Sequence, residues 1–302
     1  MKIIKDRYPG LCLDRICRLF GITRHAFYKH HKRLSLKDFQ EQIILNLVMK
    51  IRTEQPKIGT RKIYHLIQVP MMEHRIKIGR DALFNLLSKH HLLVRKRRRK
   101  TFNTNTGAPI KIFPNLIKDL IIDAPNMLWV CDITYVKTAQ SFIYLFLITD
   151  AYSKKILGYC LSNNLSAVNA GEALKMALKQ EKNRFELIHH SDRGLQYGCA
   201  NYVNLLRKNG IQVSMTKGGS PHENAIAERI NGIIKNELLA KVELKGLADG
   251  KKEIRKAINV YNEKRPHLSC SMLTPSQAHS ANRSSLKHLW KNYKKQKSNL
   301  AL

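Results

Sequence analysis

The hydrophobic rhythm of the chain changes near residue 125. Before that point apolar residues recur at helical spacing, and after it come short runs of β-branched and aromatic residues that suit strands. In LDRICRLFGITRHAFYKHHKR (residues 13–33), Leu13, Ile16, Cys17 and Phe20 fall on one helical face. Gly21 supplies a turn, and Thr23 caps a second helix running toward His31. This predicts a helix-turn-helix with Arg24, His25 and Lys29 projecting where readers of the major groove stand. An ordinary helical hairpin is the alternative. KDFQEQIILNLVMKIRTEQP predicts one further helix stopped by Pro56, GTRKIYHLIQ another that starts at Thr60, and GRDALFNLLSKHH a third. With Arg61 and Lys62 among them, these helices predict a second module of helix-turn-helix type.

From Leu128, LWVCDITYVK and SFIYLFLITD read as strands joined at AQ, and KILGYCLS as a third strand. AVNAGEALKMALKQEK reads as a helix, ELIHH as a strand, ANYVNLLRKNG as a helix ending at Gly210, and IQVSM as the fifth strand. PHENAIAERINGIIKNELLAK reads as a long helix with Pro221 in its first turn. Three strands, helix, strand, helix, strand, helix resembles the order of an RNase H-like α/β domain, a mixed five-stranded sheet flanked by helices. The expected division is a helix-turn-helix over 1–35, a second helical module over 36–94, a basic linker over 95–124, the α/β core over 125–240 and a basic helical extension over 241–302.

Charge sharpens this picture. The chain carries 54 Lys and Arg against 22 Asp and Glu, a formal net charge of +32 over 302 residues. Residues 1–100 hold a net +18, residues 101–200 only +2, and residues 201–302 hold +12. Such an excess attracts a polyanion and releases counterions from its phosphates, so a nucleic acid is the expected partner, double-stranded DNA where the helix-turn-helix modules read it; a ribosome-type or merely soluble basic protein is the alternative. Arg95, Lys96, Arg97, Arg98, Arg99 and Lys100 form an unbroken basic run that is expected to lie along phosphates, with a merely solvated charge run as the alternative. The six cysteines show no C-x-x-C pair, which argues against a zinc knuckle or a disulfide framework. No apolar stretch is long enough to cross a bilayer and no secretory signal is visible, so the expected location is the cytoplasm, with no membrane partner.

The nearly neutral middle carries the candidate chemistry. Asp132 stands in the middle of the first strand, where a charge among Val, Ile and Trp must be offset. Asp192 follows the fourth strand in IHHSDRGLQYG, and Glu228 lies on the last helix with 35 residues between the two. In an RNase H-like sheet the first strand is central and the fourth is its neighbour, so the three carboxylates can converge. Converging carboxylates repel unless cations neutralise them, and hard oxygen donors suit two Mg²⁺ ions, with Mn²⁺ as a substitute. Two such ions can clamp an in-line displacement at phosphorus. Each acid also has a plainer reading: Asp132 capping a bulge, Asp192 making an Asx turn with Gly194, and Glu228 pairing on a helix surface with Arg229 or Lys235.

WVCDITYV, HHSDRGLQY and SPHENAIAERINGIIKNEL resemble the three blocks of the integrase-core (DDE) transposases, in particular the IS-three family of insertion sequences. YNEKRPHLSCSMLTPSQAH resembles that family's C-terminal block through Tyr261, Asn262, Arg265, Pro266, His267, Thr274 and Pro275. GTRKIYHLI resembles its helix-turn-helix. The resemblance implies metal-dependent cutting and joining of DNA at the ends of a mobile element, by attack of water or a 3′-hydroxyl, with Asp132, Asp192 and Glu228 as catalytic residues and metal ligands. It implies supporting roles for Asn224 and Arg193, DNA contact by Gln196 and Tyr197, and Arg265 and His267 as further DNA-facing residues. A homodimer or higher oligomer on DNA, nucleoid association in a bacterial cell and an upstream-frame partner protein are implied as well. Cys131 replaces a common threonine and Glu223 a common aspartate; neither is a ligand position. The paired histidines, including His189 and His190, lack cysteines at zinc spacing and are expected to be structural or DNA-facing. The alternatives are an RNase H-type nuclease and a non-catalytic DNA-binding derivative of a transposase.

Overall fold

A computed structural model describes residues 7–94, 112–182, 186–217 and 223–281. The basic run of Arg95 to Lys100, the polar stretch behind it, Pro221, His222 and the tail from residue 282 lie outside the described residues. The chain divides into two compact units, Met1–Ile51 with Leu66–Leu93 and Arg52–His65 with Val94–Leu302.

The first unit opens with α1 (Leu13–Leu19), which buries Leu13, Ile16 and Cys17 as the helical spacing predicts. Phe20 departs from the predicted face and stands 54% exposed, because the helix ends before it and the chain turns at Gly21, whose φ is +65°. Thr23 Oγ1 accepts the Ala26 N–H at 3.1 Å, the predicted cap. The helix that follows, α2 (Arg24–Glu54), is one element of 31 residues, where two were expected. The expected boundary between residues 35 and 36 falls inside it. No Gly or Pro interrupts this span, and Ser35, at the expected boundary, turns its hydroxyl back onto the carbonyls of His31 and Lys32 at 3.2 and 3.0 Å. Arg24, His25 and Lys29 are exposed on it. α3 (Thr60–Glu73), whose residues through His65 belong to the second unit, starts at the predicted threonine and tolerates Pro70 near its end, and α4 (Arg80–Lys89) of the first unit buries Leu83, Leu86 and Leu87.

The second unit is built on a five-stranded mixed sheet of order β3-β2-β1-β4-β5. Its strands are β1 (Leu128–Lys137), β2 (Phe142–Asp150), β3 (Ile156–Ser162), β4 (Ile188–Ser191) and β5 (Gln212–Met215). β1 and β2 form an antiparallel hairpin closed by Thr138 and Ser141, β3 pairs antiparallel with β2, and β4 and β5 add in parallel to the other side of β1. Parallel neighbours need crossover connections, and the helical runs supply them: α5 (Ala167–Gln180) between β3 and β4, then a short turn of helix α6 (Leu195–Gly198) and α7 (Ala200–Lys208) between β4 and β5. The first strand is thus central and the fourth its neighbour, as the element order predicts.

Strand alternation assigns the two faces. Trp129, Cys131, Phe146, Ile148 and Leu157 face α5 and α7, packing on Ala170, Ala173, Leu174, Tyr202 and Leu206. α5 lies so close that a Cβ on Gly158 would meet the Ala173 carbonyl oxygen at 2.1 Å, which makes glycine obligatory there. The opposite face, with Leu145, Leu147 and Leu161, packs on α8 (Ala225–Ile233) and α9 (Leu247–Glu263) through Ile230, Ile233, Ile254 and Ile258. The expected long helix beginning near Pro221 therefore starts at Ala225, and after Ile233 it loosens into a π-turn, Ile234–Leu238.

The last element, α10 (Pro275–Ser280), has a complete capping box between Thr274 and Gln277. It brings His279 to a buried polar knot. His279 Nε2 lies 3.1 Å from Glu181 Oε1, and Nδ1 lies 3.0 Å from Ser153 Oγ, whose hydroxyl donates to Asp150 Oδ1 at 2.6 Å. Burial opposes the charged imidazole, but hydrogen bonds to Asp150 and Glu181 outweigh it and raise His279 to about 9. The same contact, seen from Glu181, lowers that carboxyl to about 2. A raised histidine stabilises fully below its unfolded value near 6.5 and loses its effect as pH rises through about 9. We expect His279→Gln to lower unfolding free energy by roughly 2–3 kcal/mol at pH 6 and to have little effect near pH 10. Chemical denaturation at the two pH values measures this, and a pH-independent difference would contradict the charged knot.

Candidate active site

Strand parity and register bring the acids together. On β1, Leu128 and Val130 point to the face that receives Ala227 of α8, and Asp132 follows on the same face two residues later. The parallel ladder pairs Leu128 with Ile188 and Val130 with His190. Carried two residues on, that register sets Asp192, just past the end of β4, beside Asp132. α8 crosses this edge and carries Glu228 in its first turn. The charges of Asp192 and Glu228 both act on Asp132.

Asp132 is half-buried and crowded by protein. Burial first, then the charge of Asp192 and to a lesser degree that of Glu228, lift its carboxyl to about 7, while hydrogen bonds from Asn231 and the Ile133 N–H pull the other way. Asp192 keeps solvent access, yet partial burial also raises its carboxyl, opposed by the Gly194 N–H, which donates to Oδ1 at 3.0 Å. That contact is the Asx-type turn of the plainer reading, and it orients the carboxylate while leaving it at the site. Glu228 is exposed. Among the described residues, no three His, Cys, Asp or Glu side chains close into a ligand cage. The charges of Asp192 and Glu228 reach Asp132 without the three side chains closing on one another.

α8 is fastened to β1 by three polar rungs in parallel order. Asn224 Nδ2 donates to the Cys131 carbonyl at 2.8 Å, Asn231 Nδ2 to Asp132 Oδ2 at 2.7 Å, and Lys235 Nζ to Thr134 Oγ1 at 2.9 Å. Asn224 was expected near the site. Asn231 and Lys235 were not, although they recur three and seven residues after Glu228, spacings that fall on one helix face. That periodicity was available as a signal.

Beneath β1, on the other face, His189 Nε2 lies 2.8 Å from both Cys131 Sγ and Tyr202 Oη. Burial, reinforced by His190, lowers His189 to about 3, so it is neutral. His190 is likewise fully buried, with Nδ1 2.9 Å from Ser214 Oγ. Both histidines are structural. Tyr197, expected at DNA, is buried at 2% exposure in the same aromatic layer, and Gln196 spends its amide on the Leu165 carbonyl. Arg193 is half-buried, its Nε donating to the Thr216 carbonyl at 2.9 Å.

Two further expectations are corrected by burial. Arg265 is 1% exposed and its guanidinium is forked onto Glu237, while His267 is 8% exposed and accepts from Arg265 NH1 at 2.9 Å. Neither faces DNA. Their short polar motif reads as a surface patch until the fold covers it. Lys62 is half-buried, and burial together with Arg265 and Arg229 lowers its ammonium to about 8; Arg61 beside it is exposed.

The role of Asn231 can be read without any assay of function. Asn231→Leu removes the donor that favours ionised Asp132, so that carboxyl should titrate higher than about 7. Carbon-detected NMR titration of labelled aspartate follows it, and an unmoved titration would separate Asn231 from Asp132.

Two integrase core domain models match residues 123–221 and 209–275. The chain is 32% identical over 266 residues to the 31 kDa protein of insertion element IS600 from Shigella sonnei, a match covering 86% of this chain and 96% of that one. It is 28% identical over 249 residues to the transposase for insertion sequence element IS904 from Lactococcus lactis, covering 81% and 96%. Among solved structures it is similar to the HTLV-2 integrase catalytic core domain in complex with magnesium, at 23% identity and a TM-score of 0.43 over 52% of this chain and 97% of that one. With 86% of its length matched to the IS600 protein at 32% identity, the chain belongs to the integrase-core (DDE) transposases of the IS-three insertion-sequence family.

Proposed function

We propose that the protein binds the terminal inverted repeats of a mobile element and cuts and joins DNA there, with Asp132, Asp192 and Glu228 as its catalytic carboxylates. The observation that carries this reading is the convergence of those acids from β1, the end of β4 and α8, within a chain of net charge +32. The chemistry of the donor set suits a divalent ion, although the three side chains do not close into a cage: the carboxyl groups offer hard oxygens, and a cation held among them would relieve the crowding that lifts Asp132 to about 7. Two Mg²⁺, or Mn²⁺ in their place, would be held by these three residues and would supply Lewis acidity for in-line displacement at phosphorus. Asn231 holds one oxygen of Asp132, Asn224 fixes the peptide before it, and Thr216 holds Arg193 beside Asp192.

The helical segments supply the DNA readers. Arg24, His25, Lys29 and Arg61 are exposed on α2 and α3, and Arg95 to Lys100 follow as a basic run in the sequence. Holding two DNA ends together calls for a dimer or larger assembly. An upstream-frame protein is a further partner, and the cytoplasm is the working compartment; no described helix is long and apolar enough to cross a membrane.

The test is incubation with Mg²⁺ and DNA carrying the element's terminal repeats. Strand-joined products are expected; hydrolysis alone would favour a nuclease, and binding alone a regulator. Asp132→Asn, Asp192→Asn and Glu228→Gln should each reduce joining by more than about 100-fold while DNA binding persists. Normal joining by any of the three would remove that residue from the site. Replacing Arg97, Arg98 and Arg99 by Gln should weaken binding to all sequences and flatten its salt slope by roughly one unit per lost phosphate contact. An unchanged slope would take the run off the DNA path.

A further inference from the structure

The C-terminal block Tyr261, Asn262, Arg265 and His267 is buried, and its burial leaves its purpose open. We infer that this block is a positioning clamp for the helix that bears Glu228, acting through the Arg265–Glu237 pair. The inference rests on the reading of Glu228 as a catalytic carboxylate.

The argument begins at the π-turn. α8 carries Glu228 and Asn231 and then widens into Ile234–Leu238, where each bond reaches one residue farther than in an α-helix. Such a turn is a local irregularity that the surrounding structure must hold. Glu237 sits inside it. Arg265 Nε donates to Glu237 Oε1 and NH2 to Oε2, both at 2.8 Å, a fork that fixes direction as well as distance. The third side of the guanidinium donates to His267 Nε2, and its carbon lies 6.0 Å from the centre of the Tyr261 ring. No freedom is left to Arg265, and so little to Glu237.

The other end of the block is anchored on the sheet. Asn262 Nδ2 donates to the Ile156 carbonyl at 2.9 Å and Oδ1 accepts the Ile156 N–H at 3.0 Å, so one side chain pairs with β3 as a neighbouring strand would. Tyr261 Oη donates to the Lys154 carbonyl at 2.9 Å. A continuous path therefore runs from the β3 edge through Asn262 and Arg265 to the π-turn and back along the helix to Glu228. The polar rungs at Asn224, Asn231 and Lys235 fasten that helix along β1, and the fork fastens its far end.

Stability alone does not account for this pair. A buried ion pair is often matched or bettered by apolar residues of similar size, whereas its directionality has no apolar substitute. Neither residue touches the three carboxylates, so both are positioning residues.

The full-length Arg265→Met, Glu237→Met double variant separates orientation from stability, with Arg265→Lys as a second variant that keeps the charge and loses the fork. Four quantities are measured below each variant's unfolding midpoint: amide hydrogen exchange over residues 223–238 without metal, DNA-end binding, the joining rate, and the Mg²⁺ concentration for half-maximal joining. We expect wild-type DNA binding, faster exchange in that segment, and joining slowed by about 10- to 100-fold with a higher Mg²⁺ requirement, in both variants. Unchanged exchange and joining in either folded variant would overturn the clamp. Loss of DNA binding with an unchanged Mg²⁺ requirement would overturn it in favour of a DNA contact. Should the double variant not fold, Arg265→Lys decides by the same criteria. A wild type that binds but never joins would instead defeat the catalytic reading, and the exchange data would still decide whether the fork orders the helix.

Discussion

A carboxylate in the middle of a sheet strand is held in place only if its surroundings answer its charge, and the second unit is organised around that requirement. Asp132 lies on the central strand with Asp192 brought alongside by the parallel register of β1 and β4. α8 meets it with the amide of Asn231 on one oxygen and carries the exposed Glu228. Each of these placements follows from the sheet order. If β4 were not the parallel neighbour of β1, or if α8 packed one turn along, the three acids would stand on separate surfaces.

The two faces of the sheet divide the work. One face, with α5 and α7, is buried and partly aromatic, and its neutral His189 sits under Cys131. It gives the strand that carries Asp132 a rigid floor. The other face, with α8 and α9, is fastened by polar rungs and by the Arg265–Glu237 fork, contacts that specify position more than they add stability. Under the proposed function the site would hold multivalent ions beside a polyanion and would gain from such a frame, because small displacements of a ligand change ion affinity steeply.

Much of this was legible in the residues. Strand and helix order follows from β-branched runs alternating with Ala- and Leu-rich ones, and Asp132 was conspicuous because an acid interrupts an apolar strand. What escaped were features set by distant contacts. Arg265 and His267 look like surface cations in YNEKRPH, and only the packing of α9 on α8 and β3 reveals them as interior. Tyr197 likewise faces the core because His189 and Tyr202 complete a layer around it. Gly232, two residues before the π-turn, was its only local signal in that helix. The fusion of two expected helices into α2 could have been read, since no Gly or Pro lies between Arg24 and Glu54.

The central claim is that these carboxylates act as one cation-binding centre, and Mn²⁺ uptake followed by electron paramagnetic resonance, in DNA-bound protein, tests it most directly. Saturable uptake that is lost when any one of Asp132, Asp192 and Glu228 is neutralised is the predicted result. Uptake that is unaltered by all of those changes would contradict it.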